Sequence, residues 1–310
     1  MNILITGAFG YLGGRISLFF KKEGHEVSIL SRRESDQVPN WVKDFKIIFG
    51  DVTDIDSLKS CCNDIDLVIH LAAINEIDCV NNPKLAYLVN CLGTQNMLEV
   101  AKLAGCSRFI YFSTFHVYGL SEGIIDESTV PNPTHLYGIT HLVGEQLCKK
   151  YFDNEFRTII LRLSNGIGAP IDLNVNRWSL IINELCKFAV IDKKVELKSS
   201  GTQLRDFISI KDICQALNLF LNDKLSPKKN NIFNVGSGES ISIKEVAKLI
   251  VEEYEQIYGS EIKLIIPSSD DNSFSQLKFR IDKIKQIGFN PTTNIKEEIK
   301  ETLRLCEEFL

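Results

Sequence analysis

A glycine-rich turn near the start of the chain could bind phosphate groups. Its glycines recur as G-x-x-G-x-x-G over residues 7–13, between the apolar run "NILIT" and an apolar pattern of helical period. Glycines let the backbone approach a pyrophosphate, and the N-terminus of the following helix favours its negative charge. The turn therefore predicts a dinucleotide site. The predicted contacts come from Gly7, Phe9, Gly10, Tyr11, Leu12 and Gly13.

The residues after the second predicted strand are expected to select the cofactor. An acidic side chain there binds the adenosine ribose 2′-hydroxyl, whereas arginine accommodates a 2′-phosphate. The strand ends in Ser31, Arg32 and Arg33, with no carboxylate at its end. We therefore predict NADP(H) in preference to NAD(H); the alternative is that the arginines are ordinary solvated charges. Asp51 and Val52, after the third predicted strand, are predicted to meet the adenine.

These candidate residues need a fold that brings them together. Apolar strand patterns alternate with helical patterns, from "NILIT" and "HEVSIL" through "FKIIFGD", "DLVIHLAA" and "RFIYFST" to "RTIILRLS". The helical patterns include "DIDSLKSCC", the long "NPKLAYLVNCLGTQNMLEVAKLAG" and "YGITHLVGEQLCKKYF". This alternation predicts an α/β fold built on a Rossmann-type, doubly wound parallel sheet.

The alternation loosens after about residue 166, which suggests two regions. Residues 1–165 are predicted to form the Rossmann domain, and residues 166–310 a smaller C-terminal α/β region, with strand exchange between the two. The second region is expected at the carboxyl edge of the sheet, where open α/β sheets bind ligands. Within it, Ser242 lies three residues before Glu245, a spacing that resembles a capping box at the start of a helix.

Composition narrows the class of protein. The 310 residues are 44% apolar and 24% charged with a net charge of -5, which is typical of a soluble globular protein and unlike a nucleic-acid-binding surface. We see no membrane-spanning run and no basic signal-peptide start, so a cytoplasmic location without a membrane partner is expected. Nine scattered cysteines form no C-x-x-C pair, so we expect reduced thiols and no metal site.

Several motifs in order resemble one enzyme family. The chain resembles the extended short-chain dehydrogenases/reductases of the nucleotide-sugar epimerase/dehydratase group over nearly its whole length. The motifs are "TGAFGYLG" at 6–13, "GDV" at 50–52, "HLAA" at 70–73, "NCLGTQNMLEVA" at 90–101, "FSTFHVYG" at 112–119, "YGITH" at 137–141, "LRLSNGIG" at 161–168, "LRDFISIKDI" at 204–213 and "FNVGSGESISI" at 233–243.

The resemblance implies roles for matching residues. Tyr137 would be the general acid/base for a sugar hydroxyl or ketone, and Thr114 would hydrogen-bond the same oxygen. The implied substrate contacts, to the nucleotide-sugar diphosphate, come from Asn165, Arg177 and Arg205. Further cofactor contacts are implied for Leu71, Ala72, Ala73, Asn90, Tyr137 and His141.

His141 departs from the family pattern, which has a lysine four residues after the tyrosine. Residues i and i+4 share one helix face, so His141 occupies the position of that lysine. A phenol is a poor base near neutrality unless a cation assists, and a histidine is only partly charged there. Three alternatives follow: His141 is a working substitute, the chemistry has moved to other groups, or only ligand binding remains.

A second departure lies in Thr114-Phe115-His116. The related 4,6-dehydratases have Thr-Asp-Glu at this position, so the missing carboxylates argue against water elimination. His116 could instead shuttle a proton; the alternative is a polar contact on the pocket wall. Ile167 replaces a tyrosine that the family usually has, and His135 is expected to be a loop residue.

We therefore predict an NAD(P)-dependent nucleotide-diphosphate-sugar epimerase or keto-sugar reductase. The competing prediction is a catalytically impaired protein that binds the cofactor or the nucleotide sugar. Family relatives often pair through two helices, so a homodimer through segments 86–104 and 137–152 is expected.

Overall fold

The computed structural model describes residues 1–33, 38–222, 231–267 and 276–310. The chain forms two compact units. The first comprises Met1–Leu120, Glu127–Leu163 and Phe220–Phe233, and the second comprises Ser121–Asp126, Ser164–Leu219 and Asn234–Leu310. The chain thus passes more than once between the units. Which ligand each unit binds stays a prediction.

Strands and helices alternate along the first unit and continue in the second. The strands are β1 (Asn2–Thr6), β2 (Glu26–Ser31), β3 (Lys46–Phe49), β4 (Leu67–His70), β5 (Arg108–Thr114), β6 (Gly123–Ile125), β7 (Arg157–Leu163), β8 (Asn165–Ile167), β9 (Lys194–Glu196), β10 (Leu204–Ser209), β11 (Ile232–Val235), β12 (Ser240–Ser242), β13 (Lys263–Ile265) and β14 (Leu277–Phe279). The α-helices are α1 (Tyr11–Lys22), α2 (Glu76–Asn81), α3 (Pro83–Ala86), α4 (Thr94–Leu103), α5 (Leu136–Tyr151), α6 (Ile181–Asp192), α7 (Ile210–Leu219), α8 (Ile243–Tyr258), α9 (Asp282–Gln286) and α10 (Ile295–Cys306).

The described residues of the first unit are organised around a seven-stranded sheet of order β11-β7-β5-β4-β1-β2-β3. Neighbouring strands from β3 to β7 pair in parallel. Strand β1 lies between β4 and β2, so the strand order reverses direction beside its carboxyl end. Ligands of open α/β sheets bind at such a point. The predicted Rossmann-type, doubly wound fold is confirmed.

Two predicted helices differ in the structure. The segment "DIDSLKSCC" forms only a short 3-10 helix over Ile55–Leu58, which Asp54 caps by accepting from the Asp56 amide. The long helical pattern after β4 is divided by a π-helical segment, Tyr87–Gly93, between α3 and α4. A Cβ on Gly93 would lie 2.7 Å from Val52 Cγ2, so this segment packs closely against the loop after β3. Neither feature follows from apolar periodicity alone.

The second unit has its own core. Strands β12, β10 and β8 form a small sheet, and helices α6, α8 and α10 share an apolar cluster that includes Leu185, Ile250 and Leu303. Helix α8 begins with the predicted capping box: Ser242 Oγ accepts from the Glu245 amide, and Glu245 accepts from the Ser242 amide.

A buried ion pair attaches α5 to the first sheet. Glu145 on α5 and Arg162 on β7 are 0% and 1% exposed. Arg162 donates to both carboxylate oxygens at 2.8 and 2.7 Å, and Ser113 Oγ on β5 donates at 2.6 Å. Burial alone would lower the pKa of Arg162, but its hydrogen bond with Glu145 raises it overall. Helix α5 is therefore held to two neighbouring strands by one carboxylate.

We predict that Glu145→Gln destabilises the protein by roughly 3–5 kcal/mol, because it leaves a buried guanidinium without its counter-charge. Chemical denaturation followed by circular dichroism measures this loss. Asp56→Asn is the control, since Asp56 pairs with Lys59 on the surface and its loss should change stability little. Equal stability of Glu145→Gln and wild type would contradict the role given to the pair.

Candidate active site

The glycine turn lies at the carboxyl end of β1 and is tightly built. Gly7 has φ +68°, and the Gly10 amide donates to its carbonyl at 2.9 Å. A Cβ on Gly7 would lie 2.7 Å from the Leu71 carbonyl carbon, and one on Gly13 would lie 2.6 Å from Ala8 Cα. Side chains are thus excluded where the backbone must approach a pyrophosphate. The cradle fits the predicted dinucleotide.

Two arginines follow β2 in different surroundings. The Arg33 guanidinium lies 5.0 Å from the centre of the Phe9 ring, and the Arg33 backbone amide donates to Ser31 Oγ at 2.9 Å. Arg32 Nη1 lies 3.7 Å from an Asp51 carboxylate oxygen, and its side chain is 65% exposed. Arg33 is therefore held beside the glycine turn, whereas Asp51 partly offsets the charge of Arg32.

A buried network of hydrogen bonds begins at the end of β1. Thr6 Oγ1 accepts from the amides of Leu71 and Ala72 at 3.2 and 3.1 Å, and lies 2.9 Å from His70 Nδ1. The Thr6 hydroxyl must therefore donate to His70, which places the histidine proton on Nε2. That nitrogen lies 3.1 Å from Thr94 Oγ1. Burial lowers the pKa of His70 to about 3, so the ring is neutral.

The same hydrogen-bond network continues to α5 through Asn90. Thr94 Oγ1 donates to the Asn90 carbonyl at 2.8 Å, and the Asn90 side chain accepts from the Ile74 amide at 2.9 Å. Its amide nitrogen donates to Thr140 Oγ1 at 3.0 Å, and Thr140 in turn donates to the Tyr137 carbonyl. Asn90 thus joins the loop after β4, which contains Ala73, to the helix of Tyr137.

Tyr137 and His141 are neighbours on the first turns of α5. Their ring centres are 4.2 Å apart, and His141 Nδ1 lies 2.9 Å from the Tyr137 carbonyl oxygen. His141 is 3% exposed, and burial lowers its pKa although the Tyr137 carbonyl and Glu145 act in the opposite direction. The ring is therefore neutral near pH 7, donates from Nδ1 and has a lone pair on Nε2. No fixed positive charge stands where the family has lysine.

Thr114 is the last residue of β5, and His116 follows it and lies beside Tyr137. The His116 amide donates to Thr114 Oγ1 at 3.3 Å, so the threonine hydroxyl keeps its own proton for another acceptor. The His116 ring lies 6.0 Å from the Tyr137 ring, and its Nδ1 lies 3.2 Å from His135 Nε2. His135, expected to be a loop residue, is the N-cap of α5: its Nδ1 accepts from the Gly138 amide at 3.3 Å.

The predicted substrate residues belong to the second unit. Asn165 and Arg205 lie on the neighbouring strands β8 and β10, and the Asn165 side chain donates to the Asp206 carbonyl at 2.9 Å. Burial lowers the pKa of Arg205. Arg177 lies in a loop, where its carbonyl accepts from the Asn183 side chain. Their roles in binding a diphosphate stay predictions.

Several residues that support this site were not predicted from the sequence. Thr6, His70, Thr94 and Glu145 are all buried, and each hydrogen-bonds a residue far away in the chain. A polar residue ending an apolar strand was the available signal for Thr6 and His70. Glu145 shares the helix face of Tyr137 and His141 at intervals of four, which was the signal for its inward direction.

The described residues show no sign of a membrane span or of a metal site. Within ranges 1–33, 38–222, 231–267 and 276–310, no helix combines the length and apolarity that crossing a bilayer requires. The same ranges contain no cluster of three or more His, Cys, Asp or Glu side chains arranged to hold a metal ion.

Comparison with known proteins identifies the family. Residues 3–236 match the NAD dependent epimerase/dehydratase family. The chain is 28% identical to a putative UDP-glucose 4-epimerase of Methanocaldococcus jannaschii, over 97% of each protein. It is 25% identical to the dTDP-D-glucose 4,6-dehydratase of Bos taurus, over 99% of this chain and 89% of that protein.

A solved structure supports the same assignment. The UDP-glucuronic acid 4-epimerase of Bacillus cereus, in complex with UDP-glucuronic acid and NAD, superposes with a TM-score of 0.80 at 26% identity, covering 100% of both chains. The chain therefore belongs to the NAD dependent epimerase/dehydratase family, and the resemblance seen in the sequence is confirmed.

The neutral His70 predicts how stability depends on pH. Its folded pKa of about 3 lies below the ordinary 6.5, so the unfolded chain binds the proton first as pH falls. The free energy of unfolding therefore falls as the pH drops below the pKa of His70 in the unfolded chain. The contribution of His70 to this loss is about 2 kcal/mol between pH 7.5 and pH 5. His70→Gln should remove that part of the slope, as measured by denaturation at several pH values. Parallel curves for variant and wild type would contradict a neutral, buried His70.

Proposed function

We propose that the chain is an NAD(P)-dependent epimerase of a nucleotide-diphosphate sugar. The observation that carries the proposal is the glycine cradle at the strand-order reversal of the sheet, in a chain that aligns end to end with UDP-sugar 4-epimerases. When bound, the nicotinamide supplies a hydride acceptor for a sugar carbinol. Gly7, Gly10 and Gly13 would hold the pyrophosphate of the dinucleotide cofactor. Further contacts to the cofactor would come from Leu71, Ala72, Ala73 and Asn90.

Proton chemistry falls to Tyr137 and its neighbours. The Tyr137 phenolate takes the carbinol proton during oxidation and becomes a phenol, which returns that proton when the ketone is reduced. The Thr114 hydroxyl, whose oxygen already accepts from the His116 amide, donates to the same sugar oxygen. Asn165, Arg177 and Arg205 hold the diphosphate, whose charge suits guanidinium donors.

His141 acts here as an acceptor in place of a lysine cation. With Nδ1 donating to the Tyr137 carbonyl, its Nε2 can accept a hydrogen bond from a ribose hydroxyl of the cofactor. A neutral ring gives the phenol no electrostatic help, and a phenol ordinarily ionises near pH 10. We therefore expect slow turnover at neutral pH that increases with pH.

The buried, neutral His141 also favours a second candidate, a protein that binds cofactor and nucleotide sugar without turnover. A keto-sugar reductase differs from the epimerase in consuming one reduced cofactor per product. A 4,6-dehydratase is disfavoured by Phe115 and His116, although enzymes of that class are among the relatives.

Variants of Tyr137 and His141 separate these candidates. With UDP-glucose and UDP-glucuronic acid as substrates and epimers measured by chromatography, Tyr137→Phe should lose roughly 100-fold or more in turnover. Tyr151→Phe, at the other end of α5, is the matched control and should resemble wild type. His141→Lys supplies a cation but removes the Nε2 acceptor proposed for the ribose hydroxyl, so turnover should stay within a few-fold of wild type or fall.

The contrary outcomes are distinct. A large gain in turnover by His141→Lys would show that the histidine had crippled the site and would favour the binding protein. Stoichiometric loss of NADPH absorbance during turnover would identify a reductase instead of an epimerase.

We further propose a preference for NADP(H), carried by Arg33 beside Phe9. A 2′-phosphate at the end of β2 would gain a charge-assisted hydrogen bond from this guanidinium. In fluorescence titrations, Arg33→Gln should raise the Kd for NADPH roughly tenfold or more and leave that for NADH little changed. Lys22→Gln, at the far end of α1, controls for net charge. Tighter binding of NADH by wild type, in line with the NAD bound to the Bacillus cereus enzyme, would overturn the preference.

Homodimer formation through segments 86–104 and 137–152 is part of the proposal. Ile139 and Val143, four residues apart on α5, are 39% and 38% exposed, and Leu103 on α4 is 81% exposed. Burying these side chains against a second copy would stabilise a dimer, which the molar mass in solution tests.

A further inference from the structure

Four aromatic side chains meet at the start of α5. His135 lies against Tyr137, with ring centres 6.3 Å apart and planes inclined by 19°, and His116 lies 4.9 Å from His135. Phe115 packs on His116 with ring centres 4.2 Å apart. His116, His135 and Tyr137 are partly buried, whereas Phe115 is buried.

The helix start determines which nitrogen of His135 carries the proton. The Gly138 amide can only donate, and it points at His135 Nδ1 from 3.3 Å. His135 Nδ1 must therefore be the unprotonated, accepting nitrogen, as is required of an N-cap side chain. A neutral His135 consequently carries its hydrogen on Nε2.

The tautomer of His135 in turn determines which nitrogen of His116 carries the hydrogen. His135 Nε2 and His116 Nδ1 are 3.2 Å apart, and one of the two must donate. Since His135 Nε2 has the hydrogen, His116 Nδ1 accepts, and a neutral His116 carries its own hydrogen on Nε2. The opposite tautomer of His116 would force a proton onto His135 Nδ1 and break the bond to Gly138.

We propose that His135 is a positioning residue that holds His116 as the Nε2–H tautomer, a hydrogen-bond donor beside Tyr137. The tautomer follows from the described contacts alone, whereas its use toward an oxygen of the sugar rests on the proposed function. In this state His116 has no lone pair on Nε2 with which to remove a proton from carbon. Of the two roles open to His116, polar contact and proton shuttle, the geometry points to the polar contact.

The tautomer can be measured without any substrate. Long-range proton–nitrogen correlation spectra of protein labelled with ¹⁵N-histidine distinguish Nδ1–H from Nε2–H rings, and the His116→Gln spectrum assigns the His116 signals. We expect the Nε2–H pattern for His116 in the wild type. In His135→Asn the asparagine oxygen can still cap the helix, but the donor to His116 is lost, so the His116 signals should move toward the average of the two tautomers.

Two outcomes would overturn the inference: an Nδ1–H pattern for His116 in the wild type, or unaltered His116 signals in His135→Asn. An unchanged circular dichroism spectrum shows that the variant is folded.

Turnover provides a second readout. Glutamine can place an N–H near the position of histidine Nε2, so His116→Gln should retain roughly ten times more turnover than His116→Phe if donation is the role. Equal losses in both variants would indicate a base and overturn the donor assignment. If no variant turns over any nucleotide sugar, the proposed function fails while the tautomer measurement still decides the inference.

Discussion

The arrangement of the candidate site depends on the buried pair of Glu145 and Arg162. This pair, together with Ser113, holds α5 against the strands that end in Thr114 and Leu163. Tyr137 and His141 lie eight and four residues before Glu145, so they share its helix face. A displacement of α5 would move Tyr137 away from His116, whose ring lies 6.0 Å from the Tyr137 ring. Burying the two charges carries a desolvation penalty, but their pairing fixes the position of α5 on the sheet.

A second constraint joins the glycine turn to the same helix. The chain from Thr6 through His70, Thr94 and Asn90 to Thr140 is buried and neutral, and its hydrogens run in a consistent direction. Buried polar groups are costly unless they are paired, so each member restricts its neighbours. The glycine cradle and the carbonyl of Tyr137 are thereby held by one network in the first unit. Catalytic geometry of this kind needs such support from surrounding residues.

Local pattern predicted much of the fold but less of the site. The alternation of strands and helices, the glycine turn and the capping box at Ser242 were predictable because each is encoded by neighbouring residues. The π-helical segment was not predicted; its Gly93 packs closely against Val52, a residue distant in the chain. His135 looked like a loop residue because imidazole is an uncommon N-cap. Its partners, the Gly138 amide and His116, are visible only in three dimensions.

The sequence by itself determined the family, the sheet and the identity of the candidate site residues, including the histidine His141 where the family has lysine. These depend on residue type and spacing along one element. Only the tertiary structure decided the charge and direction of those groups: His141 is neutral because it is buried, and His116 is an Nε2 donor because His135 caps a helix. Burial and hydrogen-bond partners come from segments far apart in the chain, so no local pattern specifies them.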